Sequence, residues 1–202
     1  GGVTGEGRMK ALAAATAAQG GVMINEVHAA NWQGELDEDG DAEDWLELYN
    51  PTTIEIDLSG YGLSGNTASP FRWTFPDGQK IGPRAYLRVW LSKKNRATPG
   101  QPLHASFNLD NGADAIYLSA SNATATGILV DSTRPALVKP DHSWCRMPSG
   151  QAGSPFQICT QPTPGAANAG PAFASMLARP VFSLPSGLYA AAQTVTLTGP
   201  AG

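Results

Sequence analysis

From Val22 to Pro148 the chain is a succession of short apolar stretches, each stopped by Gly, Pro, Asn or Asp within about eight residues. Nothing else in the sequence restricts its folding so strongly. In "DWLELYNP" the side chains alternate. Trp45, Glu47 and Tyr49 share one face, Leu46 and Leu48 the other, and the run ends at Asn50-Pro51. The two leucines are the expected core residues. "IEIDLSGYGLSG" gives another strand, with Ile54, Ile56 and Leu58 expected inward. "FRWTFPDGQKIGPRAYLRVWLS" reads as a strand, a turn at Pro76-Asp77-Gly78 and a second, long strand, because proline presets the first turn position and glycine the permissive one. "VMINEVHA" comes before these, and "LHASFNL", "DAIYLSAS", "GILVDST" and "HSWCRMP" come after. A period of two with turn signals every 8–12 residues or so predicts an all-β sandwich of about nine short strands. The 23 glycines and 16 prolines agree, since both residues are costly inside helices and useful at strand ends.

The organisation follows from where this pattern starts and stops. Residues 1–21 lack an apolar face at helical spacing and read as an N-terminal linker or the remnant of a leader. Residues 22–168 form the sandwich, closed by the Pro/Gly/Ala-rich "TQPTPGAANAGPA". Residues 169–179 are a linker, and 180–202 open a second β-module that is too short to bury a core by itself.

Seven segments in this order resemble the lamin tail domain of bacterial secreted proteins. They are "INEVHAAN", "DEDGDAEDWLELYNP", "IDLSGYGLS", "WTFPDGQKIGPRAYLRVW", "LHASFNLDNGADAIYLS", "DHSWCRMPSG" and "PTPGAAN". "PVFSLPSGLYAAAQTVTL" more weakly resembles the start of the sandwich domains at the C-terminus of chitobiase-type and hexosaminidase-type proteins. The resemblance implies an immunoglobulin-like β-sandwich without catalytic activity of its own. It places the chain in a secreted or cell-surface bacterial protein, in protein interaction, adhesion or domain organisation. No heptad rod precedes it here, so the nuclear partners of animal lamins are not carried over.

The charge is segregated. Eight carboxylates lie in the thirteen residues from Glu35 to Glu47, and seven of the thirteen Lys and Arg lie between Arg72 and Arg96. Asp37, Asp39 and Asp41 alternate around Gly40, with Asp44 three residues on. Hard oxygens at such spacing can curl around Ca²⁺, although the glycine and the twelfth position do not fit an EF-hand. A solvated acidic turn that discourages edge pairing is the other reading. No cofactor beyond that ion is expected. Arg84, Arg88, Lys93, Lys94 and Arg96 interleave with Tyr86 and Trp90, so they either form a basic patch for a partner or lie under the chain's own loops. Cys145 and Cys159, thirteen residues apart in Gly/Pro/Ser-rich text, suit a disulfide closing a hairpin, which implies an oxidising compartment.

Other chemistries find little support. No nucleophile elbow, P-loop or dinucleotide-binding glycine pattern occurs, and His28, His104 and His142 stand singly in strand-like text. The net charge of −4 argues against nucleic acid as partner, and no apolar run is long enough for membrane insertion. A protein or a surface glycan is the expected partner. Two alternatives remain. A carbohydrate-binding module would show an exposed Trp pair among Trp32, Trp73 and Trp90, and an accessory domain would serve an enzyme whose active site lies elsewhere. "NAT" at Asn122 matches a glycosylation sequon.

Overall fold

The computed structural model of the chain describes residues 21–121, 127–177 and 180–199. Residues 1–20 and the sequon at Asn122 lie outside the described residues. The described residues contain strands and turns and no helix, in two main layers.

The larger layer has seven strands: β1 (Met23–His28), β2 (Trp45–Tyr49), β7 (Tyr86–Trp90), β8 (Leu103–His104), β11 (Ser143–Arg146), β12 (Phe156–Cys159) and β13 (Ala172–Phe173). Their spatial order is β13-β12-β11-β1-β2-β7-β8, antiparallel throughout except for the β7–β8 pair. The smaller layer runs β10 (Ile128–Thr133), β9 (Ile116–Ala120), β4 (Gly62–Ser64) and β5 (Trp73–Thr74). β3 (Ile56–Asp57) pairs with β6 (Lys80–Ile81), and β14 (Val181–Phe182) with β15 (Leu197–Thr198). Between the layers Leu46, Leu48, Val89 and Leu91 meet Leu63, Trp73, Ile116 and Leu118 in one buried cluster. Each fully buried aliphatic side chain there contributes about 2 kcal/mol of transfer free energy.

Several expected elements are divided. "IEIDLSGYGLSG" becomes β3 and β4, because Gly60 takes a left-handed φ of 74° and Gly62 lies so close to Phe71 that a Cβ would sit 2.4 Å from its ring. Ile54, expected inward, is exposed. Asn50 folds the chain back at that point, donating to the carbonyls of Ile54 (2.7 Å) and Gly82 (2.8 Å) while accepting from the Thr52 N–H. Gly82-Pro83 separates β6 from β7, since proline has no N–H to continue a ladder. These breaks and the added β12 raise the count between Met23 and Cys159 to twelve.

In β1 the apolar positions Val22 and Ile24 are followed by Val27 and Ala29, one residue out of phase. A β-bulge between Ile24 and Glu26 absorbs the slip. It turns Asn25, Glu26 and His28 away from the core and onto the outer face of the large sheet. That outer face is also buried. Trp45, Glu47 and Trp90 have at most 3% exposure, so β2 and β7 are covered on both sides rather than on the leucine side alone.

Candidate functional site

The acidic and basic segments, fifty or so residues apart, meet in space. Between β7 and β8 the turn holds Lys93 and Asn95 in left-handed conformations (φ 64° and 53°), and Lys94 projects from between them. The Lys94 Nζ donates to Asp37, to Asp39 at 2.9 Å and to Asp41 at 2.8 Å, with Glu43 at 4.0 Å. The Asp37 side chain is fully buried, and its Oδ1 accepts from the Asp39 and Asp41 N–H groups, so one carboxylate both shapes the loop and receives the lysine. Arg96 bridges Glu38 and Asp39 at 2.6 Å each. His104, fully buried, joins Ser92 Oγ (2.8 Å) to Glu38 (2.9 Å). Burial opposes ionisation of Asp37, but hydrogen bonds from Lys94 and the loop N–H groups outweigh it and lower its pKa. Arg96 and then Lys94 hold Asp39 down at about 2. Burial likewise works against the Lys94 ammonium, and the hydrogen bonds it donates to Asp37, Asp41 and Asp39 lift it above the ordinary lysine value.

Asp44 does not join this group. It accepts from the Asn31 N–H at 3.4 Å, and burial pushes it up to about 6. The four aspartates anticipated as one calcium loop are therefore three around a lysine and one apart. The five basic residues do not form an open patch either. Lys94 and Arg96 are spent on the acidic loop, while Arg88 pairs with Glu35 (2.9 Å) and lies over the Trp90 ring (4.5 Å). Arg84, Lys93 and Arg96 are exposed, and of these Arg96 is held in its ion pairs with Glu38 and Asp39. Trp32 is 71% exposed, whereas Trp73 and Trp90 are each 3%, so the three tryptophans make no common platform.

A second polar cluster went unread in the sequence. The segment Thr163–Asn168 straps across the outer face of β1 and β2. Thr163 donates through N–H and Oγ1 to Glu26, and the Gly165 N–H to Glu47. Asn168 donates to the carbonyls of Asn25 and Arg146 (2.9 Å each), while the Asn25 Nδ2 donates to Asn168 and Glu47. "INE" and "PTPGAAN", separate elements of the resemblance, are thus the two halves of one hydrogen-bonded lock. The signal was an acid and an amide in a strand otherwise wholly buried. Arg146 ties the layers together, donating to Asp131 (2.6 Å) and to the Ile24 carbonyl (3.0 Å). Cys145 and Cys159 form a disulfide joining neighbouring strands β11 and β12, with Cα atoms 5.9 Å apart.

Burial pushes the Glu47 carboxyl up to about 7 and raises Glu26 as well. A carboxyl raised on folding favours the fold below its unfolded pKa of about 4.5, and that contribution is lost as pH climbs through the folded value. His28 acts oppositely. Burial lowers it to about 4, so its neutral form costs stability as pH falls from about 6.5 towards 4. The two partly cancel in the native chain. Glu47→Gln separates them. Relative to the native chain, its stability is expected to rise by on the order of 2 kcal/mol between pH 5 and pH 8 in urea titrations, and a constant difference would show Glu47 ionised throughout.

Among the described residues no helix is long and apolar enough to cross a membrane. The lamin tail domain family model matches residues 15–135, more than half of the chain. No curated protein matches it. The hairpin β11–β12 and the strap lie beyond the matched stretch and are bonded to β1 within it.

Proposed function

The chain belongs to the lamin tail domain family, and we propose that it serves as a non-catalytic interaction module of an extracellular multidomain protein. One observation carries this reading. Beyond the strap the chain presents apolar side chains to solvent in close succession: Phe173, Leu177, Val181, Phe182 and Leu188 are all more than half exposed. Beside them a groove of about 440 Å³ is lined by Ile158 and His142 of the sandwich and by Phe173 and Met176. Exposed apolar surface on that scale is a mark of a face covered by another protein body. By contrast, the acids and bases that the fold gathers are hydrogen-bonded to one another and to backbone, an arrangement that favours rigidity over proton transfer. The disulfide supports an oxidising compartment.

Lys139 lines the same groove and reports on it. In the intact secreted protein, amine cross-linking is expected to join Lys139 to a residue outside the sandwich, and Leu177→Asp with Phe182→Asp to abolish the link. Lys139 modified at one end only, in both forms, would count against the reading. In this reading the acidic loop carries its own cation. Ca²⁺ would have to expel the Lys94 ammonium from three carboxylates, so Ca²⁺ against EDTA is expected to leave the Tm unchanged. A Ca²⁺-dependent rise would assign the loop to the metal instead.

A further inference from the structure

The groove of the apolar face carries one uncompensated charge. Ile158, buried with Ala30 and Val138 in a small cluster, lines it together with Phe173, Met176 and Leu177, which are 54%, 42% and 78% exposed. Lys139 and His142 complete the wall. The His142 Nδ1 donates to the Pro140 carbonyl at 3.1 Å, so that ring is anchored to its own turn. Lys139 is exposed and, among the described residues, enters no ion pair. Asp141, two residues on, is engaged elsewhere, its Oδ1 accepting from the Trp32 and Gln33 N–H groups at 2.8 and 2.9 Å. No carboxylate lines the groove. The C-terminal part of the chain has none to bring, because residues 142–202 contain no Asp or Glu.

A body that covers the apolar walls also takes water from Lys139. An ammonium covered without a counter-charge is costly, and a carboxylate is a stronger acceptor for it than a backbone carbonyl. A second copy of the chain does not meet that need. Two-fold pairing lays the same face on itself and brings Lys139 towards a surface equally poor in acid. Resting on the reading of this face as one covered by a protein body, we propose that the groove accepts from that body an apolar side chain flanked by an aspartate or glutamate. The apolar group packs on Ile158, Phe173 and Met176, whose unbranched thioether adapts to its shape, and the carboxylate takes the Lys139 Nζ. Charge then decides between apolar partners of similar size.

Zero-length coupling tests this in the intact protein. A carbodiimide joins an ammonium only to a carboxylate in direct contact, and peptide mass spectrometry identifies the acid. Lys139 is expected to couple to an Asp or Glu outside the sandwich. Lys139→Arg, which keeps the charge and is not acylated, should lose the product. A second arm uses the chain with ¹³C-methyl methionine, the Met176 signal being assigned by Met176→Leu. Decanoate and decyltrimethylammonium are each titrated to about 10 mM, the range of weak single-site binding. Decanoate is expected to bind at least about fivefold more tightly, and Lys139→Glu to reverse the order. The failures are distinguishable. If amine cross-linking ties Lys139 to the covering body while the carbodiimide yields nothing, the face is covered without a carboxylate, and this proposal alone is overturned. If neither reagent joins them, the covered-face reading falls and the proposal with it. Equal binding of the two amphiphiles overturns it too, since Lys139 then reaches past an apolar occupant to water. A preference for decanoate with no coupled acid in the intact protein would give the groove to a free amphiphile and equally overturn it.

Discussion

Lys94→Met is expected to destabilise the fold by about 3–5 kcal/mol at pH 7, the cost of leaving a buried charge without its partner. The magnitude rests on Asp37, whose side chain is fully buried, and not on Asp39 or Asp41, which are 38% and 59% exposed and can turn to water. Ion pairs with such exposed groups contribute little, because water and salt screen them. Asp37 cannot turn away without giving up the N–H groups of Asp39 and Asp41, so removing the lysine also loosens the loop. The pH dependence follows from the direction of the shifts. Asp37 and Asp39 are held below their ordinary values, so their contribution is present above pH 4 or so and is lost as pH falls through the folded values. The deficit of Lys94→Met should therefore be largest at neutral pH and shrink in acid. Adding Asp37→Asn should recover a large part of it. Urea titrations at neutral and acid pH measure both, and a loss below about 1 kcal/mol would reclassify the pair as a surface salt bridge.

The second large effect concerns the hairpin β11–β12. Replacing Cys145 and Cys159 together by alanine is expected to cost about 3 kcal/mol, the loop-closure entropy of a segment of this length. For a chain of about this size that corresponds to a fall in Tm of roughly 6–12 °C. The hairpin matters beyond its own closure because Ser143 donates to the buried Glu26 and Arg146 holds Asp131 of the opposite layer. Loosening it should expose the strap first, and hydrogen exchange at Thr163 and Gly165 would show this. A cost below about 1 kcal/mol would mean that these polar ties already close the hairpin without the bridge.

Much of this architecture was legible along the chain. Leu46, Leu48, Val89 and Leu91 alternate with larger or charged neighbours and lie in the core as their period demands. The turn at Asp77-Gly78 falls where proline and glycine set it, with the Gly78 φ at 80°. The cysteine pair was readable from spacing and composition. Ile54 was misread because periodicity continues past Pro51, while the chain there wraps around the Asn50 side chain. The outer face of β2 was misread for a different reason, while for β7 cover by the chain's own loops stood beside an open patch as one of two readings. Alternation shows that two faces differ, and it does not show that both are covered.

Local pattern alone determined that this chain makes short strands, which of their faces is the more apolar, and where the turns and the disulfide fall. Each of those depends on neighbours a few residues away. Tertiary structure alone decided that Lys94 enters the acidic loop and that Thr163–Asn168 locks onto Asn25, Glu26 and Glu47. These pairings join residues dozens to more than a hundred positions apart. They follow from sheet order and from one bulge in β1, and a charge carries no periodicity that would reveal its distant partner in advance.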